Sequence, residues 1–233
     1  EKILNIEEKE GIVLDDLQRQ AVIEAISSGL IIITGGPGTG KTTTINTIIK
    51  YFESEGESIS LAAPTGRAAK RMSEATSYEA KTIHRLLEIT PNSSDISKNI
   101  GTHFERNEDN PLEADIIIID EVSMVDIFLM NALLKAVAVG TRLILVGDIN
   151  QLPSVGPGTV LKDLIESDCF NVVRLNKIYR QSDRSDIVIN AHKIMTNEEI
   201  DLSKKSNDFI FIKQSNPDNV TGSVISLVRD KLP

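Results

Sequence analysis

Leu30-Ile31-Ile32-Ile33-Thr34-Gly35-Gly36-Pro37-Gly38-Thr39-Gly40-Lys41-Thr42 decides how this chain is read. Its first five residues are an apolar run of strand length. The residues after it, Thr43-Thr44-Ile45-Asn46-Thr47-Ile48-Ile49, carry a helix pattern. A glycine-rich turn between a strand and a helix is the setting in which the G-x-x-x-x-G-K-[ST] motif cradles phosphate. Glycines let the backbone N–H groups turn inward, and the helix N-terminus adds a partial positive charge. Lys41 is placed to reach the outer phosphates of a nucleoside triphosphate, and the Thr42 hydroxyl to hold Mg²⁺.

Working outward, apolar strand-length runs alternate with helical segments. The strand candidates are Leu30 to Thr34, Ser58 to Ala62, Ile116 to Ile119, Leu143 to Val146 and Val172 to Leu175. Helices are expected over Asp16 to Ser27, Lys41 to Glu53, Gly66 to Ala75, Thr82 to Glu88, Val125 to Ala138, Val160 to Glu166 and Ser185 to Met195. This alternation predicts an α/β fold with a central, mainly parallel sheet and a ligand site at the carboxyl ends of its strands. The polar stretch 90–112 interrupts the rhythm and reads as a surface excursion. We expect one domain over 1–200. A tail over 201–233 follows, with a short strand at Phe209 to Ile212 and a helix from Asn219 to Leu232.

The 233 residues, 40% hydrophobic, suffice for one large domain or for one domain with a small appendage. No run approaches the roughly 20 apolar residues of a membrane-spanning helix. The first residues lack the pattern of a signal peptide. One cysteine, Cys169, leaves no internal disulfide and suits a reducing cytoplasm. The net charge of −9 speaks against nucleic acid only weakly, because binding follows the local field and a groove can be basic on an acidic protein. With 4% aromatic residues, any base stacking must rest on a few side chains.

Ile116-Ile117-Ile118-Ile119-Asp120-Glu121 is an apolar strand ending in two acids. After a phosphate-binding loop, Asp120 is placed to hold Mg²⁺ and Glu121 to polarise an attacking water. Leu143-Ile144-Leu145-Val146-Gly147-Asp148 leads in the same way into Asn150-Gln151-Leu152-Pro153. Here two readings stand level. Either Gln151 senses the γ-phosphate through a hydrogen bond, or Gly147-Asp148 simply makes the turn and leaves Gln151 exposed.

Several segments together resemble a superfamily 1 DNA helicase of the RecD-like branch. They are Leu14 to Ala21, Gly35 to Thr43, Leu61 to Met72 (with Ala-Pro-Thr-Gly-Arg-Ala-Ala), Lys81 to Leu87, Phe104 to Leu112, Asp120 to Asp126, Gly147 to Gly158 and Tyr179 to Ser182. The resemblance implies a RecA-like three-layer P-loop NTPase fold and an ATP-dependent motor. It places nucleotide contacts on Gly36, Pro37, Gly38, Thr39, Gly40, Lys41, Thr42 and Thr43, with Gln18 reading adenine and Tyr179 packing near it. It makes Gln151 the γ-phosphate sensor and gives Arg180 a charge-stabilising contact to the same phosphate. Single-stranded DNA would be met by Pro64, Thr65, Gly66 and Arg67, where a strand opens into a helix, and by Thr82, His84 and Arg85. Arg67, Lys70 and Arg71 are either a basic strip or a solvated helix face. His103 has no such support, and His192 reads as packing.

The family's motor needs two RecA-like domains with ATP between them. Only the first domain's motifs occur here, so the chain reads as the first motor domain without its second. The implied function is 5′ to 3′ translocation on single-stranded DNA in recombination and repair, with recombination or nuclease complex subunits as possible partners and no membrane. Two alternatives stand beside it: the motor domain of a conjugative relaxase-helicase, and a nucleotide-gated DNA-binding switch with little turnover. Glu121 speaks against the switch, which needs no base.

Overall fold

Ile116, Ile117, Ile118 and Ile119 are all fully buried, which a strand permits only when both faces of its sheet are covered. The structure, a computed structural model, describes residues 2–89, 104–177, 185–203, 206 and 208–231. In it these four isoleucines form β4 (Ile116–Ile119), near the middle of a six-stranded sheet. Its companions are β1 (Leu30–Gly35), β2 (Ile59–Ala63), β3 (Ala80–Thr82), β5 (Arg142–Gly147) and β6 (Asn171–Leu175). The order is β3-β2-β4-β5-β1-β6, and every neighbouring pair is parallel.

Side chains alternate across a strand, so each strand feeds two cores. Ile116 and Ile118 join Ile31, Ile33, Ile144 and Val146 on one face. That face is covered by α1 (Lys2–Glu10), α2 (Asp16–Ser27), α3 (Lys41–Glu55) and α4 (Gly66–Thr76), through Ile3, Val22, Ile48, Phe52 and Met72 among others. Ile117 and Ile119 face the other way. They meet α5 (Ile83–Leu86), α6 (Ile127–Ala136) and α7 (Val160–Glu166) through Ile83, Leu133 and Leu161. This is the expected three-layer α/β fold.

Some elements depart from the sequence expectation. α1 and β3 carry no strong apolar run and were not expected. β3 is held by its neighbour, with Leu61 opposite Ala80 and Ala63 opposite Thr82. The helix expected over Thr82 to Glu88 shrinks to Ile83–Leu86. Thr82 caps it by accepting from the Arg85 N–H (3.2 Å), and Glu88 turns left-handed at φ 55°. The helix expected from Val125 starts at Ile127, because Asp126 caps it and Val122–Met124 forms a single 3-10 turn. Phe209 to Ile212 is not a strand. It is apolar, but no described strand lies alongside to pair with it.

The chain divides into two compact units, Glu1–Tyr179 and Arg180–Pro233. The second contains α8 (Asp186–Met195) and α9 (Pro217–Lys231). Within it Asp208 accepts from the Ser206 hydroxyl (3.0 Å) and the Asp186 N–H (3.2 Å). No helix among the described residues is long and apolar enough to cross a membrane.

Candidate nucleotide site

Because all the strands run parallel, their carboxyl ends share one edge of the sheet. Thr34 of β1 lies opposite Gly147 of β5, and Ile119 of β4 lies opposite both Ala62 of β2 and Leu145 of β5. The glycine-rich loop, Asp120, Asp148, Pro64 and Thr82 therefore emerge along the same edge, where α/β sheets bind ligands.

The loop from Gly35 to Gly40 passes straight into α3. Gly38 (φ 75°) and Gly40 (φ 80°) are left-handed, a conformation that glycine adopts without steric cost. The Thr39 hydroxyl donates to the Gly36 carbonyl (2.8 Å), and the Thr44 hydroxyl to the Gly40 carbonyl (3.1 Å). Lys41 Nζ is folded back over the loop, donating to the carbonyls of Gly35 (2.6 Å) and Gly36 (3.0 Å). The Thr42 side chain is exposed and makes no hydrogen bond among the described residues.

Gln18 reaches this loop through a chain of polar contacts. Glu7, buried on α1, accepts from the Leu14 N–H (2.7 Å) and pairs with Arg19 (3.0 Å), fixing where α2 begins. Asp15 and Gln18 then form a reciprocal capping box, with the Gln18 amide oxygen on the Asp15 N–H (3.0 Å). The Gln18 amide nitrogen donates to the Gly40 carbonyl at 3.3 Å. Gln18 thus touches the last glycine of the loop and is 1% exposed.

At the end of β4, burial pushes the Asp120 carboxyl above the usual carboxylate range. The Glu121 N–H, donating at 2.8 Å, pulls it back, the Glu121 charge raises it, and the Lys41 and Arg71 charges lower it. Arg71, assigned from sequence only to a strip or a solvated face, therefore reaches the field of the nucleotide site. Its place became visible only once α4 was laid across the sheet. Glu121 has a left-handed backbone (φ 55°, ψ 39°), a conformation that costs a non-glycine residue about 1–3 kcal/mol and clusters at functional sites. Its Oε2 atom is buried without a partner among the described residues, as is the hydroxyl of Ser123.

A test follows from Asp120. A carboxyl with a raised folded pKa favours the fold below its ordinary value of 3.8, and that contribution is lost as pH rises through the folded pKa. At neutral pH the ionised group is a burden on the nucleotide-free fold. Asp120→Asn is expected to raise the nucleotide-free Tm at pH 7 by about 2–4 °C, equivalent to about 1 kcal/mol in a domain of this size. The gain should fade towards pH 4. A lower Tm for the variant at pH 7, read by calorimetry, contradicts this account.

After β5, Ile149 donates its N–H to the Thr34 hydroxyl (3.2 Å), which ties the loop to β1. Asp148 is buried and accepts from the Asn150 N–H (3.0 Å), whereas Gln151 is exposed. At the β2 end, Thr65 caps α4 by accepting from the Ala68 N–H (3.2 Å), with Gly66 and Arg67 exposed beside it. Lys70 pairs with Glu74 (3.8 Å) on the solvated side. His84 and Arg85 are exposed on α5, where the His84 ring meets that of Phe104 (centroids 5.9 Å apart). Phe104 starts the return leg of the excursion, and Arg106 pins that leg to Glu88 (2.9 Å) and to the Pro111 carbonyl (3.2 Å). Tyr179, Arg180 and His103 lie outside the described residues.

This arrangement is that of a P-loop NTPase domain with a RecA-like fold. An AAA domain family model matches residues 18–157, and the chain belongs to that family. Its sequence is similar to RecD-like helicases of superfamily 1. It is 38% identical over 185 residues to the ATP-dependent RecD2 DNA helicase of Deinococcus radiodurans, covering 79% of this chain and 24% of that protein. It is 41% identical over 174 residues to the RecBCD enzyme subunit RecD of Mycobacterium tuberculosis, covering 65% and 29%. The chain thus spans about a quarter of the length of these curated relatives. In fold it is similar to the Pif1 helicase of Candida albicans (TM-score 0.53, 24% identity, 74% of this chain and 42% of that one). It is likewise similar to a Pif1 helicase solved in a study of unwinding at forked DNA (TM-score 0.56, 23% identity, 91% and 57%).

Proposed function

We propose that this chain is the first motor domain of a cytoplasmic RecD-like DNA helicase. It would bind and hydrolyse ATP to drive 5′ to 3′ movement along single-stranded DNA in recombination and repair. The observation that carries this reading is one sheet edge that presents Lys41, Asp120 and Glu121 beside two exposed helix starts, at Thr65 and Thr82. Phosphates of a nucleotide would occupy the loop, and phosphates of a strand would lie along the helix starts. The RecD2 and RecD relatives support the assignment.

In this reading the Lys41 ammonium leaves the Gly35 and Gly36 carbonyls for the β- and γ-phosphates. The N–H groups of Gly36, Gly38, Thr39, Gly40, Lys41, Thr42 and Thr43, with Pro37 shaping the turn, surround the phosphate chain. Glu121 accepts a proton from the attacking water, Gln151 and Arg180 contact the γ-phosphate, and Gln18 and Tyr179 face the adenine. The residues fit Mg²⁺: Asp120 is a buried carboxylate at the strand end and Thr42 an uncommitted hydroxyl. Mg²⁺ typically takes only one or two protein ligands with phosphates and waters, and it would neutralise phosphate charge here. Among the described residues no group of three His, Cys, Asp or Glu side chains gathers as a separate metal site.

A second motor domain, not among these 233 residues, would close the other side of the cleft. The test is the ATPase rate with and without single-stranded DNA, for this chain and for a form extended through a second motor domain. The extended form should show stimulation by DNA that Lys41→Ala abolishes, and this chain alone should hydrolyse slowly. An extended form that DNA does not stimulate overturns the motor reading, and stimulation by RNA alone redirects it to RNA.

A further inference from the structure

The loop that carries Gln151 and the segment that carries Glu121 meet at two separate places. At the first, Gly147 closes β5 directly against the 3-10 turn. A Cβ on Gly147 would lie 3.2 Å from the backbone nitrogen of Val122, 3.3 Å from that of Ser123 and 2.9 Å from Leu161 Cδ2. At the second, a Cβ on Gly156 would lie 2.8 Å from both Cβ and Cγ of Asp126, closer than real Cβ atoms approach their neighbours. A hydrogen bond from the Ile127 N–H to the Pro157 carbonyl (3.0 Å) seals this second contact. The Ser154 hydroxyl bridges the carbonyls of Gly156 (2.9 Å) and Gly158 (3.3 Å), which gives the turn a fixed shape.

The two contacts join the segments that carry Glu121 and Gln151, the groups the proposed chemistry uses. On one side are Glu121, strained and with a buried unpartnered oxygen, and Ser123 with a buried unpartnered hydroxyl. Asp148, Asn150 and Gln151 are on the other. Val122 and Val125 are fully buried, so the Glu121–Asp126 segment is anchored in the core and shifts only as a body. Asp126 is the end stop of that body. It caps α6 by accepting from the Leu129 N–H (2.8 Å), and its side chain is the surface on which Gly156 rests.

We propose that Asp126 is a positioning residue for hydrolysis, acting through the Ser154–Gly158 turn to hold Gln151 and Glu121 in one fixed relation. A γ-phosphate contact at Gln151 would then be felt at Glu121 through the clamp, without a bond between the two side chains. This proposal rests on the ATPase reading above. A purely structural cap would affect α6 and the folded state only. A clamp affects the chemical step and is redundant once Gln151 is gone.

The test uses single-turnover ATP hydrolysis by this chain, with affinity for a fluorescent ATP analogue and thermal unfolding measured on the same samples. Asp126→Ala should lower the hydrolysis rate about tenfold and leave affinity for the analogue within about twofold. Asp126→Asn keeps both the cap and the shape, and should restore most of the rate. In the Gln151→Ala background, Asp126→Ala should cost nothing further. The proposal fails if Asp126→Ala hydrolyses at the wild-type rate, or if its loss adds in full to that of Gln151→Ala. Gly156→Ala, expected to mimic Asp126→Ala, provides an independent variant should Asp126→Ala fold poorly; a wild-type rate in folded Gly156→Ala also overturns the clamp. Lys41→Ala is the control for the underlying reading. Hydrolysis that persists in Lys41→Ala, or none in the wild type, overturns the ATPase reading and the clamp with it. Lys41-dependent hydrolysis with additive Asp126 and Gln151 losses overturns the clamp alone.

Discussion

Replacing Lys41 by alanine is expected to remove ATP hydrolysis, with a loss of about 10³-fold or more, and to weaken nucleotide binding at least tenfold. The effect is electrostatic. In phosphoryl transfer the protein contributes mainly position and charge, and Lys41 is the cation seated on the loop itself. Its hydrogen bonds among the described residues go to backbone carbonyls, and the buried Asp120 that also feels its charge keeps the Arg71 charge and the Glu121 N–H, so the fold should survive. Unchanged far-ultraviolet circular dichroism together with lost ATPase activity is the expected pair of results. Arginine should not rescue. The loop carbonyls hold a compact ammonium at 2.6 and 3.0 Å, and a planar guanidinium has a different reach and shape. A Lys41→Ala variant that turns over ATP at the wild-type rate would falsify the assignment of this loop as the catalytic phosphate site.

The second large effect is expected at Glu121. Glutamine keeps its volume but cannot accept a proton, so Glu121→Gln should lower the hydrolysis rate about 10²- to 10⁴-fold while ATP binding persists. Binding is expected to survive because the carboxylate has no partner at Oε2 among the described residues to lose. The backbone at φ 55° is equally open to glutamine, so little change in stability is expected. The variant should therefore hold ATP in an unhydrolysed complex, seen as slow release of labelled nucleotide. If both binding and hydrolysis fell together, Glu121 would be a structural strut and the base would lie elsewhere.

Those parts of the fold were legible where local sequence and final environment agree. The isoleucine-rich strands read clearly because they are buried on both faces, and the phosphate loop because strand, glycines, lysine and helix follow one another without a gap. β3 was invisible, since three residues without an apolar run become a strand only through their pairing with β2. Phe209 to Ile212 failed in the opposite sense: an apolar run with no described strand beside it does not become one. At the site, Asp120 and Glu121 could be read directly from the sequence. Neither the contact of Gln18 with Gly40 nor the approach of Arg71 to Asp120 leaves a local trace, because each joins elements far apart in the chain. The seating of Gly156 on Asp126 is hidden for the same reason.

The strand order has a consequence for how the molecule is made. β1, which ends in the phosphate loop, is paired with β5 and β6, both formed much later in the chain. As the polypeptide leaves the ribosome, Leu30–Gly35 has no neighbour on either edge until Arg142–Gly147 arrives, and its last residue waits for Leu175. These are non-local parallel pairings, the kind that form slowly and leave apolar edges bare in the meantime. The capacity to grip a nucleotide is therefore among the last properties this domain acquires during synthesis, and a chain cut short before Asn171 should emerge with the β6-facing edge of β1 bare and open to aggregation.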